Sequence, residues 1–282
     1  MPPLASAIIL TTGNSTQMRT YKPLLLAFLL ASLTPFQAHA QGNGSISSLR
    51  KAADAGDAKA QDALGVAYAK GQGVAKDESA AAQWFRKAAD QGNAHAEDTL
   101  GAMYESGHGV AKDPAQAAQW FRKAATQGYA RAEYNLGVLY AAGNGLPKDQ
   151  TQAIQWFRKA AMQHDADAEN NLGVAYASGQ GAPKDAPSAV QWFLLAANDG
   201  SAKGQYNVGA MFLTGQGVPK DPVRAYYWLG LAAYDEQDPA RAQSIEAARQ
   251  AMATHLPPEA VHRVENQVQQ WMDAHPLHPG AK

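Results

Sequence analysis

The chain has 282 residues, of which 46% are hydrophobic but only 9% aromatic, and its formal net charge is −1. That balance, with no basic stripe along the chain, leaves nucleic-acid binding without support. The absence of cysteine excludes disulfides, thiolate metal sites and lipid attachment through cysteine.

In chain order, Met18-Arg19-Thr20-Tyr21-Lys22 gives a positively charged start, followed by an apolar run from Leu24 to Leu33 and by Ala38-His39-Ala40. The last is the small-x-small pattern read by signal peptidase, and the run is about ten residues where a spanning helix needs roughly 20. We expect an export signal over 1–40, cleaved after Ala40, with an uncleaved N-terminal anchor as the alternative. Residues 1–17 lack the character of a signal's charged region, which leaves both Met1 and Met18 open as the start. Export predicts a periplasmic or secreted protein without membrane insertion once the signal is removed. A Gly/Ser-rich linker is expected over 41–47 and a repeat array over 48–235.

The array is legible because the chain repeats itself. Leu64-Gly65, Leu100-Gly101, Leu136-Gly137, Leu172-Gly173 and Val208-Gly209 open five copies spaced 36 residues apart without insertions. A strict period of this size means one supersecondary unit stacked on itself. In the first copy, Ala60, Leu64, Ala67 and Tyr68 mark a helix over 58–70 with one buried stripe. Gly71 tolerates the positive φ that ends it, and Gly73 is expected to loosen the turn. Asp77 is a good N-cap for a second helix that faces Ala81, Trp84, Phe85 and Ala88 inward. Asp113-Pro114 and Asp221-Pro222 place proline where a helix tolerates it best.

Leu49 to Gly56 matches the end of a second helix and forms a half unit capping the first copy. Beyond Tyr234 the period is lost. Pro239 to His255 and Pro258 to His275 read as two helices separated by Leu256-Pro257-Pro258, with Val261, Val264, Val268 and Trp271 on one stripe of the second. A stack must end on a polar outer face, so residues 236–275 are expected to cap it, ahead of a disordered tail over 276–282.

The consensus A-x-x-x-L-G-x-x-Y-x-x-G-x-G-V-x-x-D-x-x-x-A-x-x-W-F-R-K-A-A-x-x-G resembles the Sel-one-like repeat (SLR), a relative of the tetratricopeptide (TPR) repeat. The likeness covers residues 51–233. It implies an all-α fold, a right-handed α-α superhelix, or solenoid, of five helix pairs that binds protein or peptide partners in a concave groove. It also implies a bacterial source, since exported members of this kind are common there.

Positions held constant between copies are expected to serve the stack: Trp84, Trp120, Trp156, Trp192 and Trp228, and Tyr68, Tyr104, Tyr140 and Tyr176 with Phe212 in the fifth. The second helices change from Arg-Lys pairs in copies one to three to Leu194-Leu195 and Gly230-Leu231. Burial under the C-terminal helices and an exposed apolar patch both account for that change. Function is expected where copies differ on the stripe beginning at Lys59, which the resemblance places in the groove. Along it run Lys59, His95, Arg131, Asp167 and Lys203, then Asp62, Asp98, Tyr134, Asn170 and Tyr206, with Asn135, Asn171 and Asn207 as an amide row. The expected partner contacts are therefore Arg131, Tyr134, Asn135, Asp167, Asn170, Asn171, Lys203, Tyr206 and Asn207.

Catalytic constellations are not evident. G-x-S-x-G, a Gly-rich phosphate loop and H-E-x-x-H are all missing. His95, His164, His255 and His262 fall at unrelated positions, and the repeated Asp77, Asp113, Asp149, Asp185 and Asp221 are helix caps. No cofactor or metal is expected. The preferred function is a monomeric, non-enzymatic scaffold of the cell envelope. A structural assembly factor, such as one for exopolysaccharide secretion, and a cell-wall hydrolase are the alternatives.

Overall fold

The computed structural model describes residues 46–275, so the signal over 1–40 and the tail over 276–282 lie outside the described residues. Thirteen helices and no strand occur among them. Helix α1 spans 46–54, and the five pairs follow as α2 (Ala58–Lys70) with α3 (Glu78–Ala89), α4 (Ala94–Ser106) with α5 (Pro114–Thr126), α6 (Ala130–Ala142) with α7 (Gln150–Ala161), α8 (Ala166–Ser178) with α9 (Ala186–Asn198), and α10 (Ala202–Thr214) with α11 (Pro222–Asp235). Two further helices, α12 (Pro239–Ala253) and α13 (Pro258–Ala274), end the described chain. The described residues divide after Lys148 into two compact units, α1–α6 and α7–α13. Ile46 and Ser47, expected in the linker, are helical instead, because Ile46 packs with Leu49, Ala53 and Leu64.

Asp77, Asp113, Asp185 and Asp221 each close a turn between the two helices of a pair. The Asp113 amide donates to the Tyr104 carbonyl at 2.8 Å, while its carboxylate accepts from the Ala115 and Gln116 amides at 3.0 Å. The end of α4 and the start of α5 are thereby joined through a single residue, which also satisfies orphan N–H groups. The second glycine of the turn does more than loosen it. A Cβ on Gly145 would stand 2.1 Å from the Pro114 carbonyl oxygen, and one on Gly181 2.6 Å from that of Gln150. This glycine lets each turn rest on the first turn of the preceding second helix.

Within a pair, the second-helix phenylalanine presses on the first-helix glycine. A Cβ on Gly101 would lie 2.8 Å from the Phe121 ring, and one on Gly173 2.5 Å from the Phe193 ring. Phe85, Phe121, Phe157 and Phe193 are all buried, whereas of the recurrent tryptophans only Trp120 is. Trp84, Trp120 and Trp228 pack with the core as expected, but only Trp120 is sealed within it. Trp84, Trp156, Trp192 and Trp228 are half-buried, and Lys87 and Lys159 lie over the Trp84 and Trp156 rings at 3.8 and 3.9 Å. The Trp84 and Trp156 rings thus roof the core with a cation on the outer face.

Neighbouring pairs are tied by an arginine of one second helix and a tyrosine of the next first helix. Arg50, Arg86, Arg122 and Arg158 donate to the hydroxyls of Tyr68, Tyr104, Tyr140 and Tyr176, the third at 2.8 Å. At the next step both partners change together. Leu194 packs in one apolar cluster with Phe212, so the polar link becomes a hydrophobic one. Leu194 is thus explained by its neighbour in the array. Leu195 remains 44% exposed, while in the last pair α12 and α13 do cover the region, with Leu231 buried beside Val264 and Val268. Gly230 gives room to Val268 and Arg249, and the fully buried Tyr226 ring lies under the Arg249 guanidinium at 4.2 Å and donates to Glu265 at 3.1 Å. The C-terminal helices therefore cover an apolar face of α11.

Two predictions follow from this packing. Phe121→Ala should cost about 3–5 kcal/mol in urea unfolding, and Trp156→Ala clearly less because its ring is half-exposed. Arg158→Leu and Tyr176→Phe, the pair the chain itself uses at Leu194 and Phe212, should be better tolerated together than their single effects add up to, by about 0.5 kcal/mol or more in a double-mutant cycle.

Candidate partner-binding surface

The nine expected contact residues lie on first helices, Arg131, Tyr134 and Asn135 on α6 and the other six on α8 and α10. In the unit α1–α6, the Arg131 guanidinium sits 5.4 Å from the Tyr134 ring centre, and both are half-buried. In the unit α7–α13, Lys203 lies 3.6 Å from Asp167, and the half-buried Tyr206 leans on a cluster of Leu229, Ala232 and Ile245. Asn171 and Asn207 are half-buried as well.

Two of the nine face inward. The Asn135 amide donates to the Asp98 carboxylate at 2.9 Å, and Asn170 accepts from the Asn207 amide at 2.8 Å. Asn135 and Asn170 retain only 7% and 5% of their surface, so they clasp successive first helices and offer nothing to a partner. The physical reason is their register. A residue on one first helix comes opposite the residue just before its counterpart on the preceding first helix, and polar side chains there bond across the joint.

The chain belongs to the Sel1 repeat family. The Sel1 repeat model matches five successive stretches, 58–93, 94–129, 130–165, 166–201 and 202–235. A Sel1 repeat protein from Oxalobacter formigenes is 35% identical, with a TM-score of 0.65 over 71% of this chain and 82% of that one. The protective antigen c5321 of uropathogenic Escherichia coli, which displays an SLR fold, is 29% identical with a TM-score of 0.70. That match covers 83% of this chain but only 52% of the antigen. Among curated protein sequences none matches.

In this Sel1 repeat solenoid a second polar row recurs that sequence comparison had not singled out. Gln91 donates to Gln61 at 2.7 Å, Gln127 to Glu97 at 2.7 Å and Gln205 to Asp235 at 2.7 Å. Each pair links the buried start of a first helix to the end of the second helix of the same repeat. Copy four breaks the pattern, with Glu169 facing Asp199. Burial, with the Asp199 charge adding to it, pushes the Glu169 carboxyl up to about 7. Its signal in the sequence is that only this copy has a carboxylate at both positions. No described helix is long and apolar enough to cross a membrane.

A pH-sensitive joint also lies on this face. His95 Nδ1 sits 2.7 Å from an Asp62 carboxylate oxygen, and this hydrogen bond raises the imidazole above its usual 6.5, with burial opposing it. A folded-state pKa above the unfolded one means that protonation favours the fold. The contribution is complete below about 6.5 and disappears as pH rises through the raised value. The melting temperature of the native chain should therefore fall more between about pH 6 and 8 than that of His95→Gln. Parallel pH profiles for the two proteins would leave the joint without a titrating role.

Proposed function

We propose that this chain is a non-enzymatic scaffold of the bacterial cell envelope, binding a protein or peptide along the exposed side of its first helices. Sel1 repeat proteins are generally protein-interaction scaffolds and typically non-catalytic, which supports the general class. The observation carrying the finer reading is the half-buried Arg131–Tyr134 couple, an arginine stacked on an aromatic ring where other copies hold Asp62, Asp98 or Asn170. Arg and Tyr dominate the energetics of protein interfaces because they combine broad apolar area with directed hydrogen bonds. Asp167 and Lys203 supply charge to the same face of α8 and α10, and Asn171 supplies an amide. The envelope assignment rests on the charged, apolar and small-x-small pattern over 18–40.

Arg131→Glu combined with Tyr134→Asp tests the surface without disturbing Tyr206, whose ring also supports the α11–α12 cluster. Partner recovery from an envelope extract should fall by about tenfold or more, with a melting temperature within a few degrees of the parent. Undiminished recovery by a folded double variant would remove this face from consideration. Binding would then move to the second helices, where Leu195 and Met162 are exposed.

A further inference from the structure

Two features set the fourth repeat and the turn leading into it apart from their siblings, and the fold brings the three residues involved together. Between successive repeats the chain turns through a residue with positive φ, a glycine at Gly56, Gly92, Gly128 and Gly200 with φ of 97°, 81°, 79° and 82°. At the equivalent turn between α7 and α8 stands His164, with φ 61°, the one non-glycine residue at positive φ among the described residues. A histidine in this region carries a backbone cost that glycine does not. The other departure is the pairing of two carboxylates. Every other copy has at least one amide at the two positions of the polar row: Gln61 with Gln91, Glu97 with Gln127, Glu133 with Gln163, and Gln205 with Asp235. Copy four has Glu169 on α8 and Asp199 at the end of α9, two acceptors and no N–H between them.

Glu169 retains 1% of its surface, and its Oε2 has no hydrogen-bond partner among the described residues. A buried, unpaired carboxylate oxygen is costly unless a cation or donor reaches it. His164 is placed to bring one. Its Nδ1 lies 3.3 Å from Asp199 Oδ2, and one ligand atom from each of His164, Glu169 and Asp199 falls within 4.8 Å of the others. Neighbouring ligand atoms about a tetrahedral zinc ion are about 3.4 Å apart, given bonds of about 2.0–2.1 Å. His164 and Asp199 are already at that spacing. The largely exposed imidazole is able to rotate, and the two edges to Glu169, each within 4.8 Å, would shorten on binding.

We propose that His164, Glu169 and Asp199 form a zinc site that clasps α8 to the end of α9, in place of the amide hydrogen bond that repeats one, two and five show there. One nitrogen and two carboxylate oxygens suit zinc, and three protein ligands leave a fourth position for water or for a side chain of a bound protein. Asp165 is occupied otherwise, accepting from the Ala168 amide at 2.9 Å as the cap of α8.

The test uses the full chain and zinc chloride, followed by calorimetric titration and thermal melting. Two variants restore residues the chain uses elsewhere and so preserve the fold. His164→Gly returns the turn to the glycine of its siblings, and Asp199→Gln offers Glu169 the amide that Gln127 gives Glu97. The parent chain should bind one zinc ion saturably at micromolar concentration and melt several degrees higher with it. Each variant should bind at least tenfold more weakly and lose the shift. Absence of saturable binding by the parent overturns the site. So does undiminished binding by both variants, which would place zinc on the scattered histidines near the C-terminus. A shift with calcium but not zinc overturns the assigned chemistry.

Discussion

The contact on which the array depends is a phenylalanine ring laid on a glycine Cα. Gly101 under Phe121 and Gly173 under Phe193 bring the two helices of a repeat closer than any side chain on the first helix would allow. Dispersion falls away within fractions of an ångström, so the packing density of the repeat depends on that missing Cβ. Alanine does the same service around it. Ala81, Ala88, Ala117, Ala124, Ala153, Ala160, Ala189 and Ala196 are all fully buried, and they allow each second helix to touch its neighbours without large side chains between them. This accounts for a chain rich in apolar residues yet poor in aromatics.

Between repeats the forces are of another kind. Arginine–tyrosine bonds and asparagine clasps join adjacent units, while the glutamine pairs tie together the two helices of one unit. Such bonds add modestly to stability one at a time, but an unpaired buried partner is expensive, so they select the register in which all are satisfied. The Leu194–Phe212 replacement supports this view, because both ends of one link changed while the helices around it kept their lengths. The polar face of the first helices thus has two duties. Asn135 and Asn170 hold the stack, and residues beside them, such as Arg131 and Tyr134, keep surface available to other molecules.

Each strained or unpaired group is informative because four sibling copies show the relaxed alternative. His164 is notable beside four glycines, and the Glu169–Asp199 pair beside four pairs that contain an amide. Within one chain, the siblings provide the comparison that usually needs a family of relatives. Departures that cost energy at neighbouring positions point to a common ligand more than to drift.

The sequence alone determined the helix boundaries and the repeat. Asp caps, glycine stops and a 36-residue period are local or near-local signals: Asp77, Asp113, Asp149, Asp185 and Asp221 cap the second helices, and Gly71, Gly107, Gly143, Gly179 and Gly215 end the first. The C-terminal helices were equally legible from Pro239, Pro258 and the valine stripe. Only the tertiary structure decided which side chains face the joints. Periodicity identifies a recurrent Trp and a recurrent Phe as neighbours on one helix, and it took packing against Gly101 and its equivalents to assign the core to phenylalanine. Asn135 and Asn171 are equivalent in sequence, yet Asn135 is sealed against Asp98 while Asn171 keeps part of its surface. The same holds for His164, which lies 35 residues from Asp199 along the chain and 3.3 Å from it in space. Local propensities set elements within a few turns, whereas burial and charge pairing arise from residues one repeat away, and those distances exist only after the repeats stack.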